Sequence, residues 1–150
     1  MYSLSMKIKL LTICLFLFSS ISWSGEIDGK SIICSKNTGH VYHSGLTGYR
    51  FVNGKVNVDI PREFGMAKLE ADSLRTTPNY IYWRGGLRVR LDRKTLVLDG
   101  EHSDGKYIFW MQCEAMPNIK TYNKKMKKYL QEYIKEFNRL DKILKKGNKI

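Results

Sequence analysis

Seven side chains of this 150-residue sequence have types and spacings that could do chemistry: Cys34, His40, His43, Glu70, Asp72, His102 and Cys113. His40 and His43 stand three apart, and His102 lies in an acidic stretch with Asp99, Glu101 and Asp104. Three imidazoles could hold a metal ion. A lone His-x-x-His pair, however, is too common a pattern to specify one, and solvated loop histidines account for it. Glu70 and Asp72 would share one face of a strand, as surface carboxylates commonly do. The sequence contains no Gly-x-Ser-x-Gly elbow, no Gly-rich phosphate loop and no His-Glu-x-x-His. The expectation is a protein that is not an enzyme and takes no metal and no cofactor.

The cysteines carry more information once the compartment is read. Met6-Lys-Ile-Lys9 precedes an apolar run, Leu10 to Phe18, broken only by Thr12 and Cys14. Ser22-Trp-Ser24 then offers small residues at the positions a signal peptidase reads. A bilayer span needs about 20 apolar residues, more than this run holds. Residues 1–24 therefore read as a signal peptide cleaved near Ser24, with a periplasmic or secreted product. Its removal takes away Lys7, Lys9 and Cys14, so the formal charge falls from +12 to +10 and two cysteines remain. An exported protein with one cysteine pair is expected to join them, here Cys34 to Cys113. Neither CxxC nor a Cys/His cluster argues for metal instead.

The elements that would position these groups fall into two parts, residues 25–117 and 118–150. The first reads as short strands punctuated by turn residues, as in a sandwich or barrel. Asn53-Gly54 signals a type I′ hairpin turn, pairing Phe51 with Val56 and Tyr49 with Val58 on a buried face, with Arg50 and Asn57 on a wet one. Arg84-Gly85-Gly86 is expected to form a three-residue turn that sets Trp83 against Leu87, Ile81 against Val89, Tyr82 against Arg88 and Tyr80 against Arg90. That register sorts apolar from charged side chains. Asp92-Arg-Lys-Thr95 makes the next turn. Further strands are expected at Ser31–Ser35, near Val41, at Ala67–Ser73 and at Tyr107–Cys113, with Asp99 to Gly105 an exposed loop. The last strand is apolar on both faces, and the C-terminal helix is the expected cover.

After Met116-Pro117 the pattern becomes helical. Met126, Leu130, Tyr133, Phe137, Leu140 and Leu144 recur at spacings of three and four, with Gly147 as the stop. Lys125, Lys128, Lys135, Arg139, Lys142 and Lys146 line much of the rest. Residues 118–150 hold 11 basic and 3 acidic side chains, so +8 of the +10 lies in this tail. A nucleic-acid reader would place its charge beside its aromatics. Here the Tyr80–Leu98 hairpin carries the aromatics and the tail carries the charge, and the reading is that no nucleic acid is bound.

Gly29-Lys-Ser-Ile-Ile-Cys34, the hairpin Gly48-Tyr-Arg-Phe-Val-Asn-Gly-Lys-Val56, Ile81-Tyr-Trp83, Leu91-Asp-Arg-Lys-Thr-Leu-Val-Leu98 and Gln112-Cys-Glu114 follow one another in order. This set resembles a group of short, uncharacterised exported proteins of marine alphaproteobacteria. The resemblance implies an envelope location and no particular activity. The layout of the meander is also similar to lipocalin-like small β-barrels.

The fold expected is mainly β with a C-terminal helix: an antiparallel β-meander or small barrel of six to eight strands, followed by one long amphipathic α-helix. The function expected is non-catalytic. The basic helix would bind an envelope protein or an anionic lipid surface, or pair with a second copy in a homodimer. The alternative is a carrier whose barrel interior holds a small apolar ligand against Phe51, Val56, Ile81, Trp83, Val89 and Phe109.

Overall fold

Asn53 and Gly54 adopt the left-handed backbone that the turn between the first two long strands requires, with φ of 52° and 71°. The strands they join pair as the alternation demands, Phe51 opposite Val56 and Tyr49 opposite Val58. The computed structural model describes residues 26–35, 45–85, 87–101 and 107–147, the backbone only at 107–109. The expected signal peptide, the expected strand near Val41, and His40, His43 and His102 lie outside the described residues.

Among the described residues eight strands follow in chain order: β1 (Ser31–Ser35), β2 (Thr47–Val52), β3 (Lys55–Arg62), β4 (Gly65–Thr76), β5 (Tyr80–Arg84), β6 (Arg88–Asp92), β7 (Val97–Glu101) and β8 (Tyr107–Ala115). Each pairs antiparallel with the next, and β8 returns to β1 to close a barrel. Closure leaves no sheet edge for aggregation along the paired strands. Cys34 and Cys113 stand directly opposite on β1 and β8, and a disulfide joins them where the sheet closes. One helix, α1 (Ile119–Gly147), follows. The Asn118 side chain starts it by accepting a hydrogen bond from the Thr121 backbone N–H at 2.9 Å.

Large side chains fill one end of the barrel. Ile32, Phe51, Val56, Ile81, Leu91 and Leu98 pack there with the disulfide, all buried. Residues Glu26–Lys30 cap that end. Ile27 inserts into the core, Asp28 accepts from the Gly54 N–H at 3.2 Å, and Arg93 reaches Glu26 at 2.7 Å.

Four details differ from the sequence reading. The β5–β6 register is displaced by two residues: Trp83 opposes Val89, Ile81 opposes Leu91, Tyr82 opposes Arg90 and Tyr80 opposes Asp92. Arg84 then opposes Arg88, and the Gly85 N–H donates to the Leu87 carbonyl at 3.1 Å. Asp99, Gly100 and Glu101 belong to β7 rather than to a loop, because the buried Gly100 lets the strand continue opposite Val89 and Phe109. Strand β4 runs from Gly65 to Thr76, longer than expected, and a bulge at Ser73 (φ 60°) absorbs its bend. Finally, α1 packs on β1 and β3 rather than on β8, so Trp110 on the outer face of β8 is 48 % exposed.

Candidate functional site

At the end of the barrel opposite the cap, the inward side chains leave space between them. On β2 and β3 these are Thr47, Tyr49, Val58 and Ile60, and Ala71 faces them from β4. Trp83, Val89 and Met111 complete the wall, and the space left between them is a cavity of about 350 Å³. Its floor is aromatic: the Tyr49 and Trp83 rings lie 5.2 Å apart, and Phe51 meets Trp83 edge-on at 5.9 Å from below.

The opening follows from unequal strand lengths. β4 is hydrogen-bonded to β3 from Gly65 to Ala71, whereas its pairing with β5 starts only at Asp72 and Arg84. The wall is therefore notched between β4 and the β5–β6 loop, and Leu69, Gly85 and Leu87 line the notch. Leu69 is 58 % exposed there although it occupies an inward position. Gly85 is required at this rim, since a Cβ on it would lie 2.9 Å from the Cβ of Ala71.

Polar groups in the cavity are few. Burial pushes the Tyr49 hydroxyl pKa up to about 12 against a smaller opposing effect of Thr47, so it stays a neutral donor at any ordinary pH. Glu70 lines the mouth, but the exposed Lys55 holds its carboxylate at 2.6 Å. Among the described residues the lining is apolar apart from Thr47, Tyr49 and Glu70. Among the described residues no three His, Cys, Asp or Glu side chains converge.

The six residues expected to face a ligand separate in depth. Trp83 and Val89 line the cavity, whereas Phe51, Val56 and Ile81 belong to the packed core. The Phe109 side chain lies outside the described residues. Sequence alternation placed these side chains inside but did not single out Tyr49, Ile60 and Met111 as cavity wall. The signal available was the small side chains of Thr47, Val58 and Ala71 on successive strands.

The second candidate surface is α1. Its first turns cross β2 at Gly48, with Tyr122 and Met126 buried against Ile33. A Cβ at Gly48 would overlap the Tyr122 hydroxyl and lie 2.9 Å from Met126 Sδ. The Tyr122 hydroxyl donates to Asp59 Oδ2 at 2.6 Å, and Arg50 Nε donates to the same oxygen at 2.8 Å. Burial, reinforced by Asp59, raises the Tyr122 pKa well above the ordinary tyrosine range. The outer face of β2 and β3 expected to be wet is thus covered here, with Asp59 5 % exposed.

Of the basic residues along α1, Lys125 pairs with Glu114 at 2.7 Å, Arg139 with Glu136 at 2.5 Å and Lys128 with Glu132 at 3.8 Å. Lys135, Lys142 and Lys146 are exposed. Two of the four arginines of the Tyr80–Leu98 hairpin are likewise engaged: Arg90 with Asp99 and over the Tyr80 ring at 5.3 Å, Arg93 with Glu26 and the Thr77 carbonyl. No protein-family model, curated protein or solved structure matches the chain.

Proposed function

We propose that the protein is a non-catalytic carrier that holds one small apolar molecule inside its barrel. The observation that supports this is the cavity itself. Its walls are apolar, one end is capped and the other opens through a notch rimmed by Leu69 and Leu87. At about 30 Å³ per heavy atom in a liquid-like packing, about 350 Å³ accommodates roughly a dozen heavy atoms. The preferred ligand is a short acyl chain or a fused ring with one acceptor for the Tyr49 hydroxyl. Export to an oxidising compartment fits this reading, because the Cys34–Cys113 disulfide would persist there.

A series of straight-chain alcohols tests it by thermal stabilisation. Each added methylene buries about 0.8 kcal/mol of apolar surface, an increase of about fourfold in affinity. The gain should continue to about ten or twelve carbons and then level as the cavity fills. No stabilisation by any alcohol would refute the carrier reading. A gain that continues undiminished through sixteen carbons would place binding outside this cavity and refute it equally.

A further inference from the structure

The apolar stripe of α1 is only half used. Tyr122, Met126 and Tyr129 pack on the barrel, where the last rim residues they meet are Leu46 and Met66. Eighteen residues follow Tyr129 in the helix, about 27 Å at 1.5 Å per residue. Neither apolar cluster of the described residues includes them. Phe137, Ile143 and Leu144 are 40 %, 52 % and 56 % exposed.

We propose that this half of α1 pairs antiparallel with the same half of a second copy, about a two-fold axis at Phe137. Leu130, Ile134, Phe137, Leu140 and Leu144 are spaced 4, 3, 3 and 4 apart, a pattern that reads identically in both directions. Antiparallel pairing sets Leu130 against the partner's Leu144, Ile134 against the partner's Leu140, and Phe137 against itself. Such self-complementarity is what a two-fold interface requires.

Charge selects the orientation. Residues 130–138 carry Glu132, Lys135 and Glu136, a net of −1. Residues 139–147 carry Arg139, Asp141, Lys142, Lys145 and Lys146, a net of +3. Antiparallel helices bring these unlike halves together, whereas parallel helices bring like to like.

Geometry and charge both favour a second helix over a flat anionic bilayer. The exposed stripe continues the face that rests on the barrel, so a plane laid against it would run into the barrel. Glu132 and Glu136 beside the stripe would also repel anionic headgroups. A partner helix lies beyond the rim and brings its Leu144 alongside Leu130, next to Leu46 and Met66. The pairing does not depend on what the cavity holds.

Sedimentation velocity of the purified chain over a concentration series, with vesicle co-sedimentation alongside, tests the proposal. A reversible dimer is expected. Phe137→Asp should raise its dissociation constant at least about tenfold, because the substituted residue lies at the centre of the interface. At concentrations where both proteins are monomeric, barrel melting should stay unchanged, since Phe137 packs on no strand residue of either cluster. Mixed Leu130→Cys and Leu144→Cys chains should cross-link under mild oxidation, while Leu130→Cys alone should not. A monomer at every concentration, with or without binding to phosphatidylglycerol vesicles, would overturn the proposal. So would a dimer indifferent to Phe137→Asp, or self-linking of Leu130→Cys.

Discussion

Replacing Gly48 with Ala tests whether α1 is part of the barrel's stability or an appendage. Gly48 sits on the outer face of β2 between Ile33 and Asp59, and its missing side chain is what allows the Tyr122 hydroxyl to reach Asp59. A hydrogen bond to a charged group contributes about 1.5–3 kcal/mol. Tyr122→Phe should cost about 1.5–2 kcal/mol, near the low end, because Arg50 still holds Asp59 through Nε at 2.8 Å and a second nitrogen at 3.2 Å. Gly48→Ala should lose that bond and also crowd Met126; overpacking adds about 1–3 kcal/mol, for a total of about 3–5 kcal/mol.

The two substitutions act on the same contact, so they should not add. In a Tyr122→Phe background the new methyl occupies space that the hydroxyl has left, and Gly48→Ala should become cheaper by about 1–2 kcal/mol. Urea unfolding followed by helix ellipticity and tryptophan fluorescence measures all four corners of the cycle. Additivity within about 0.5 kcal/mol, or single costs below that value, would refute the claim that the Gly48–Tyr122–Asp59 contact holds the helix in place.

Two further predictions concern the fold as a whole. Tyrosines of the unfolded chain lose their protons near pH 10, while Tyr49 keeps its proton to about 12 and Tyr122 is also raised. Above pH 10 the unfolded state therefore binds fewer protons, and unfolding free energy should fall by about 1.4 kcal/mol per pH unit for each retained proton. Equilibrium unfolding between pH 9 and 12 measures the slope; Tyr49→Phe should flatten it, and an unchanged slope would contradict the burial argument. Replacing both Cys34 and Cys113 with Ala opens a long loop at the β1–β8 seam and should cost about 2–5 kcal/mol. Thermal melts with and without reductant check this, and identical melts would contradict it.

The Asn53-Gly54 hairpin was legible to the residue, because only left-handed backbone closes a two-residue turn and the alternation then fixes each pair. The β5–β6 register was not, for a physical reason. Alternation has a period of two, so a displacement of two residues leaves Ile81, Trp83, Val89 and Leu91 all facing inward. What decides it is the close approach of Gly85 to Ala71 on β4, a contact between segments that no local pattern encodes. The continuation of β7 through Asp99–Glu101 was hidden by Gly100, whose inward position holds no side chain for a hydrophobic pattern to register.

The amphipathic character of α1 was plain from spacing, but its seat was not. Gly48 and Asp59 looked like members of a wet face, and only their combination beneath Tyr122 shows that the face is covered. The cavity was the least legible feature. Strands β2, β3, β5 and β6 alternate as in a filled barrel, and the space arises from summed volumes: Thr47, Val58 and Ala71 at one end, Phe51, Leu91 and Leu98 at the other.

The measurement that bears most directly on the carrier reading is a calorimetric titration of 1-decanol into the chain and into Val58→Phe. Val58 lines the cavity and is only half-buried, so the larger ring should enter the space without displacing its neighbours. One decanol should bind per chain of the unsubstituted protein. For Val58→Phe the affinity should fall by at least about tenfold, together with stability raised by about 0.5–2 kcal/mol as the void is filled. Equal affinity in both proteins, or no binding to either, would contradict the carrier reading.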